Sequence, residues 1–205
     1  MEAVIREALL FFLLVCSSAI GTGAQDPPGR SVFGSNGPER STRFSKNEQY
    51  ALMSLWSIAR SPLMFGGNLP QSDDFTLSLL TNDEVIGINQ NSDHNRVLFD
   101  HEGLIAWTAE VPGSQGKYLA FFNTREEHVI AENHRSPQGP STSESPGDNE
   151  TLRKVSVSLS DLGCAGTCMI RDLWHKKDVG EFTREFVTEI QWHGGALYRV
   201  TPKRP

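Results

Sequence analysis

The sequence predicts a mainly β fold, with a C-terminal antiparallel β-sandwich preceded by a helix–strand–helix unit of the parallel-sheet kind. Three observations carry this prediction. Beyond about residue 95, short β-type runs recur between turn residues: Val97–Phe99, Leu104–Thr108, Tyr118–Phe122, Val155–Leu159, Met169–Trp174, Phe186–Ile190 and Ala196–Val200. Before them, Leu52, Leu55, Trp56 and Ala59 repeat at helical spacing. Between the two textures, Leu63, Met64 and Phe65 form an apolar run without alternation, as in a strand covered on both faces.

Taken in order, residues 25–44 are rich in Gly, Pro, Ser, Asn and Arg and read as an irregular loop. Ser45 followed by Glu48 makes a capping box that starts the first helix, and Ser61-Pro62 ends it, because proline lacks the donor and its predecessor avoids the helical region. Gly66-Gly67 closes the short strand. Ser72 is placed to cap the next helix, with Asp73 and Asp74 favourable at its positive end and Phe75, Leu79 and Leu80 as core contacts. Thr81 and Glu84 suggest a further capping box before Val85, Ile86 and Ile88. In the β region, Val155, Val157 and Leu159 alternate with serines, the pattern of a half-buried strand, and Pro112-Gly113 and Gly194-Gly195 mark turns. Residues 132–150 are a polar low-complexity loop. It holds the sequon Asn149-Glu150-Thr151, a glycosylation site in a eukaryotic secretory route.

The chain has 205 residues, 38% hydrophobic and 21% charged, which suits a globular protein of one or two domains. Its net charge of −6 argues against a nucleic-acid partner. Arg6, the apolar run Ala8–Val15 and the small residues Gly21 to Ala24 follow the order of a secretory signal peptide, residues 1–24, whose removal takes Cys16 with it. The other reading of this stretch is a buried N-terminal helix. The apolar core is too short for a membrane span, so the expected location is secreted or secretory-pathway/vacuolar, with no membrane partner after cleavage. Cys164 and Cys168 remain; they read either as a disulfide or as two free thiols, and two cysteines alone make an incomplete metal shell.

The residues offer little chemistry of their own. Asp73-Asp74 and Asp83-Glu84 sit at helix starts and read as caps; Glu126-Glu127 lies in a polar turn; Asp172 reads as a local hydrogen-bond acceptor. None of the six histidines falls in an HExxH pattern, and neither a Gly-x-Ser-x-Gly elbow nor a phosphate loop is present. Trp56, Trp107, Trp174 and Trp192 could stack on sugars if exposed; Trp56 and Trp107 fit core packing better, and Trp192 is open.

Six motifs stand in one order: SLWSIARSPLMFGGNL, LLTNDEVIGINQN, IAWTAE, YLAFFN, RDLW and HGGALYRVTP. Together, over about Gly34 to Pro202, they resemble the C-terminal part of the α-galactosidases (melibiases), glycoside hydrolase family 27, in a plant-like, long-loop form. The resemblance implies the end of a (β/α)8 TIM barrel followed by an antiparallel β-sandwich. Leu63–Phe65 would be the eighth barrel strand, 46–60 and 72–80 its flanking helices, 25–95 the barrel remnant and 96–205 the sandwich domain. Arg30–Arg43 looks like the tail of the loop that follows the acid/base segment, and Asn68 stands where relatives often carry an acidic residue.

The implied activity is release of terminal α-galactosyl residues, with an α-galactoside as substrate and no cofactor or metal. The family's nucleophile lies in a Lys-Tyr-Asp type motif and its acid/base in an Asp-x-Asp-Met type motif. Neither occurs in this sequence, where Lys117-Tyr118 is followed by Leu119. Retaining hydrolysis needs two carboxyls roughly 5 Å apart, so no catalytic residue is assigned and the chain alone is expected to be inactive. The competing readings are a secreted non-catalytic module that binds carbohydrate or protein, and a subunit that completes another chain's barrel. One barrel strand cannot close a barrel, so residues 46–90 are expected to expose apolar faces that invite association.

Overall fold

The structure is a computed structural model that describes residue 42 and residues 44–66, 69–124 and 152–203. The described residues form helices α1 (Lys46–Ile58), α2 (Asp74–Leu80) and α3 (Asp83–Asn91), with a 3-10 turn at Leu69–Gln71. Strands β1 (Asp93–His101), β2 (Leu104–Glu110), β3 (Lys117–Asn123), β4 (Arg153–Ser158), β5 (Cys168–Asp172), β6 (Lys177–Phe182), β7 (Glu185–Ile190) and β8 (Gly195–Pro202) follow. One six-stranded sheet runs β1-β2-β3-β8-β5-β6, a two-stranded sheet pairs β4 with β7, and every pairing is antiparallel. The mainly β, sandwich expectation therefore holds.

Between the two sheets lies a core of Leu119, Phe121, Val155, Val157, Leu159, Ile170, Phe186, Ile190, Tyr198 and Val200. Phe186 meets Tyr198 edge-on at 4.9 Å between ring centres, and the Tyr198 hydroxyl lies 3.0 Å from that of Thr188. The side chains that alternate with these point the other way. Trp107, Ala109, Tyr118, Ala120, Phe122 and Leu197 form a second core with Ala51, Leu55 and Ile58 of α1 and Val85 and Ile88 of α3. The large sheet is thus covered on both faces, and the molecule has three layers: helices, six strands, two strands.

This corrects the expectation that the helices of residues 46–90 would lack partners. Ile58, Val85 and Ile88 are fully buried against the sheet of their own chain, each contributing about 1.5–3 kcal/mol relative to exposure. The expected strand Leu63–Phe65 does not form: these residues alternate between half-buried and exposed and enter no β-ladder, with Met64 80% exposed. A parallel strand requires hydrogen-bonding neighbours, and the described residues place none beside it.

Helix ends are mostly where sequence placed them. Ser45 and Glu48 form the capping box of α1. Its C-terminus closes as a Schellman motif, Ser61 N–H donating to Trp56 O at 2.9 Å and Arg60 N–H to Ser57 O at 3.2 Å. Two caps differ by one residue. Asp73, not Ser72, caps α2 by accepting from Thr76 N–H at 2.7 Å, and Asn82, not Thr81, caps α3. In both cases the shorter-reaching hydroxyl yields to a neighbouring Asx side chain. Strand β6 went unseen in the sequence because Lys177-Asp178-Val179-Gly180 carries charge and a glycine where an apolar alternation is expected.

Two outcomes follow from this layering. Hydrogen exchange should be slow through α1 and α3 and fast at Leu63–Phe65; fast exchange of Ile58 and Ile88 would contradict the third layer. Gly195 faces α1 so closely that a Cβ there would sit 2.7 Å from the Ala51 Cα. Gly195→Ala should therefore cost about 1–3 kcal/mol in urea unfolding, as overpacking does.

Candidate functional site

The chemistry-bearing residues of this chain gather along the seam between the helices and the large sheet. RDLW, where β5 ends, supplies four contacts in succession. Arg171 forks onto Glu84 in the first turn of α3, Nε to Oε2 at 2.9 Å and Nη2 to Oε1 at 2.8 Å, while its Nη1 reaches Asp178 at 3.1 Å. Such bidentate pairing fixes direction as well as distance. Asp172 accepts from the Trp174 and His175 N–H groups at 2.9 and 3.0 Å and pairs with the His175 ring at 2.8 Å. The Leu173 carbonyl takes the amide of buried Asn82 at 2.9 Å. The Trp174 indole N–H donates to Ser54 of α1 at 2.9 Å.

Around Trp174 the rings of Tyr50 and Phe75 pack edge-on, Tyr50 lying 5.0 Å from Trp174 and 5.3 Å from Phe75. Burial, with the nearby Asp172 charge, raises the Tyr50 phenol above its usual range. Tyr50 thus links the other two rings edge-on across the seam.

The helices are tied to each other as well. Arg60 takes a left-handed conformation, φ 55°, and its guanidinium donates to the carbonyls of Asn89 and Ser92 at the C-terminus of α3, at 3.3 and 2.9 Å. A cation there satisfies orphan carbonyls and complements the helix dipole. Asn89 returns the contact, donating to Trp56 O at 3.1 Å and Ser61 O at 2.7 Å.

At the other end of α1, Glu48 accepts from Ser45 N–H at 2.7 Å and faces the His193 ring at 3.4 Å. Burial pushes this carboxyl up, but the bonds from His193 and Ser45 and the charge of a protonated His193 outweigh that, leaving it below the usual range. Trp192 stacks on His193 at 3.8 Å between rings, and the Gly194-Gly195 turn that follows brings β8 against α1.

Four of the carboxylates considered from sequence are in structural service. Asp73 caps α2, Asp83 pairs with Lys176, Glu84 holds Arg171 and Asp172 organises its own turn. Trp107 is buried, as expected; Trp56, Trp174 and Trp192 are half-buried. Cys164 and Cys168 are both buried. Asn149 and Glu126-Glu127 lie outside the described residues, as do Gly67 and Asn68. One small cavity, about 20 Å³, opens among His94, Arg96, Thr108, Glu110, Lys117 and Leu162, room for a single water. Among the described residues no group of three or more His, Cys, Asp or Glu is placed to hold a metal ion.

Residues 101–200 match the family described as the alpha galactosidase C-terminal beta sandwich domain. Residues 101–200 are thus the C-terminal β-sandwich domain of the α-galactosidase (melibiase) family. Among curated α-galactosidases, that of Cyamopsis tetragonoloba is 26% identical over 187 residues, covering 89% of this chain and 38% of the relative. A Dictyostelium discoideum protein named probable α-galactosidase is 28% identical, covering 91% of this chain and 42% of the relative. The solved glycoside hydrolase family 27 β-L-arabinopyranosidase of Geobacillus stearothermophilus is 34% identical, with a TM-score of 0.66, covering 87% of this chain and 36% of that one. The chain thus spans about two fifths of the length of the α-galactosidases it matches.

Against that family, the seam gains a meaning the sequence did not show. The motifs that carry the resemblance supply the residues that bind α1 and α3 to the sandwich, Ser54, Ile58, Asn82, Glu84, Trp107, Phe122, Arg171, Leu173, Trp174, His193 and Gly195, and those that bind the helices to each other, Arg60 and Asn89. The Glu84–Arg171 ion pair and the Glu48–His193 contact join residues far apart in the chain, and no local pattern could have announced them.

The depressed Glu48 carboxyl fixes a sign for pH. A group lowered in the folded state contributes stability above its unfolded value, about pH 4.3, and loses it as pH falls through the folded value. Wild type should be more stable than Glu48→Gln above about pH 5, and the gap should close toward pH 3. Urea midpoints measured across that range test this, and a gap constant with pH would exclude a role for the charge.

Proposed function

We propose that this chain contributes the C-terminal portion of an α-galactosidase, supporting hydrolysis of terminal α-D-galactosyl residues without performing it alone. The single observation that carries the reading is the occupation of the candidate carboxylates. Glu48, Asp73, Asp83, Glu84 and Asp172 are each tied into caps, ion pairs or histidine contacts, and among the described residues the cavity beside Glu110 has room for a single water. A retaining glycosidase needs a nucleophile and an acid/base flanking a sugar-sized space, and misplacement by about 1 Å costs roughly a hundredfold.

The part this chain plays is mechanical. The helix–sheet seam makes a rigid support, and residues 61–66 and 69–73 leave it with Met64 and Leu69 outermost, 80% and 54% exposed. That segment is the proposed point of association with a barrel. The substrate class follows the curated α-galactosidases; the solved relative at 34% identity acts as an arabinopyranosidase, and the described seam residues do not distinguish the two sugars. A secretory route, read from residues 1–24, belongs to the same proposal. The second reading, a secreted non-catalytic module binding carbohydrate or protein, draws on the half-buried Trp192 beside His193.

The pure chain incubated with 4-nitrophenyl α-D-galactopyranoside should release no nitrophenol above the buffer blank. Steady turnover that survives repurification would overturn the proposal. Saturable galactose binding without turnover, lost in Trp192→Ala, would favour the binding module.

A further inference from the structure

The chain passes from the small sheet to the large one between β4 and β5, and its two buried cysteines sit at that crossover. The turn is tightly wound: Leu162 and Cys164 N–H both donate to Leu159 O, at 3.2 and 2.9 Å, and Gly163 N–H donates to Ser160 O at 2.9 Å. Gly163 and Gly166 take left-handed φ values of 72° and 88°, which reverse the chain twice at positions where a side chain would be strained. Lys203 N–H then anchors Thr167 O at 2.8 Å, setting the start of β5. The result points Cys164 and Cys168, 6% and 0% exposed, into one apolar cluster with Leu159, Leu162, Ile170 and Val200. The pair, four residues apart, thus shares one buried environment.

We propose that Cys164 and Cys168 are a disulfide site, oxidised by thiol–disulfide exchange as the chain folds and locking the crossover between the two sheets. The bonds balance simply. A thiolate of the pair attacks a small-molecule or protein disulfide, expelling one thiolate. The second cysteine then attacks the mixed disulfide, forming the Cys164–Cys168 bond and expelling the other. The two cysteines lose two protons and two electrons, and the disulfide donor is reduced to two thiols.

Timing follows from the fold. Burial and the adjacent Cys168 push the Cys164 thiol up to about 12, so within the closed core it is neither a nucleophile nor reachable. Exchange therefore belongs to the stage before the crossover packs, and the bond, once made, is shielded from reductant. Apolar burial favours a structural over a reactive role for such a thiol pair, and two ligands alone make an incomplete metal shell. The inference is independent of the glycosidase reading.

The test refolds the full chain from the reduced, denatured state in glutathione and glutathione disulfide, and in parallel in a phosphine reductant. After unfolding and alkylation, the tryptic peptide Val155–Arg171 of the glutathione sample should be unalkylated and about 2 Da lighter, the mass of the two hydrogens lost, while Cys16 is alkylated. The oxidised sample should melt roughly 4–8 °C above the reduced one, as closing a short loop predicts. Cys164→Ser should abolish the difference between the two conditions, and the wild-type comparison stands even if that variant folds poorly. Two alkylated cysteines in that peptide from the glutathione sample, or pairing of either with Cys16, would overturn the proposal.

Discussion

A sheet packed on one face only would leave Trp107, Tyr118, Ala120, Phe122 and Leu197 in water. Helices α1 and α3 remove them from it, and in return Ile58, Val85 and Ile88 lose their own exposure. The rest of the described structure depends on this mutual burial. It sets where β8 can approach, because Gly195 lets the strand touch the α1 backbone. It also decides which face of β3 turns toward the small sheet, since a slip of one residue would exchange the two cores. The burial is non-directional; direction comes from the polar contacts at its rim, the Arg171 fork onto Glu84, the Asn82 amide on Leu173 and the Trp174 indole on Ser54.

The same contacts account for the form of the motifs. RDLW supplies three docking contacts from one strand end, Arg171, Leu173 and Trp174 each with a different partner, while Asp172 holds the turn between them. Arg is suited to its place because the guanidinium spans two carboxylates, Glu84 and Asp178, which a lysine ammonium would meet only as a point charge. Asn82 serves twice, its carbonyl capping α3 and its amide reaching the sheet, so a hydroxyl could not replace it. Arg60 tolerates a left-handed backbone while its side chain closes the C-terminus of α3. These residues build a rigid support, and a family likeness carried by them is a likeness in how the support is assembled.

Function inherits that division. In the α-galactosidase family a support of this kind belongs to enzymes more than twice as long as the stretch matched here. The carboxylates within it are neutralised locally by lysine, arginine and backbone donors, so their charges are already committed to architecture. A catalytic pair needs the opposite arrangement, two carboxyls facing an open space with environments that push their protonation apart.

Much of the fold was legible in the residues. The capping box at Ser45 and Glu48, the helical periodicity of Leu52 and Leu55, the alternation of Val155 and Val157 and most of the strand runs are local signals with local causes. The unbroken apolar run Tyr118 to Phe122 was itself a mark of two covered faces, beside the alternating β4, which has one. The candidate site was legible only as motifs, and their meaning lay in pairings such as Glu84 with Arg171 and Glu48 with His193 that span most of the chain. Leu63–Phe65 shows the limit most plainly: its composition suits a strand, but a strand is a relation between neighbours, and hydrogen bonds to absent partners cannot be formed. Sequence by itself determined the elements, their caps and the family they belong to, because those rest on contacts within a few residues. Tertiary structure alone decided that the helices cover the sheet and that the acids serve as struts, because burial and ion pairing depend on which distant surfaces meet.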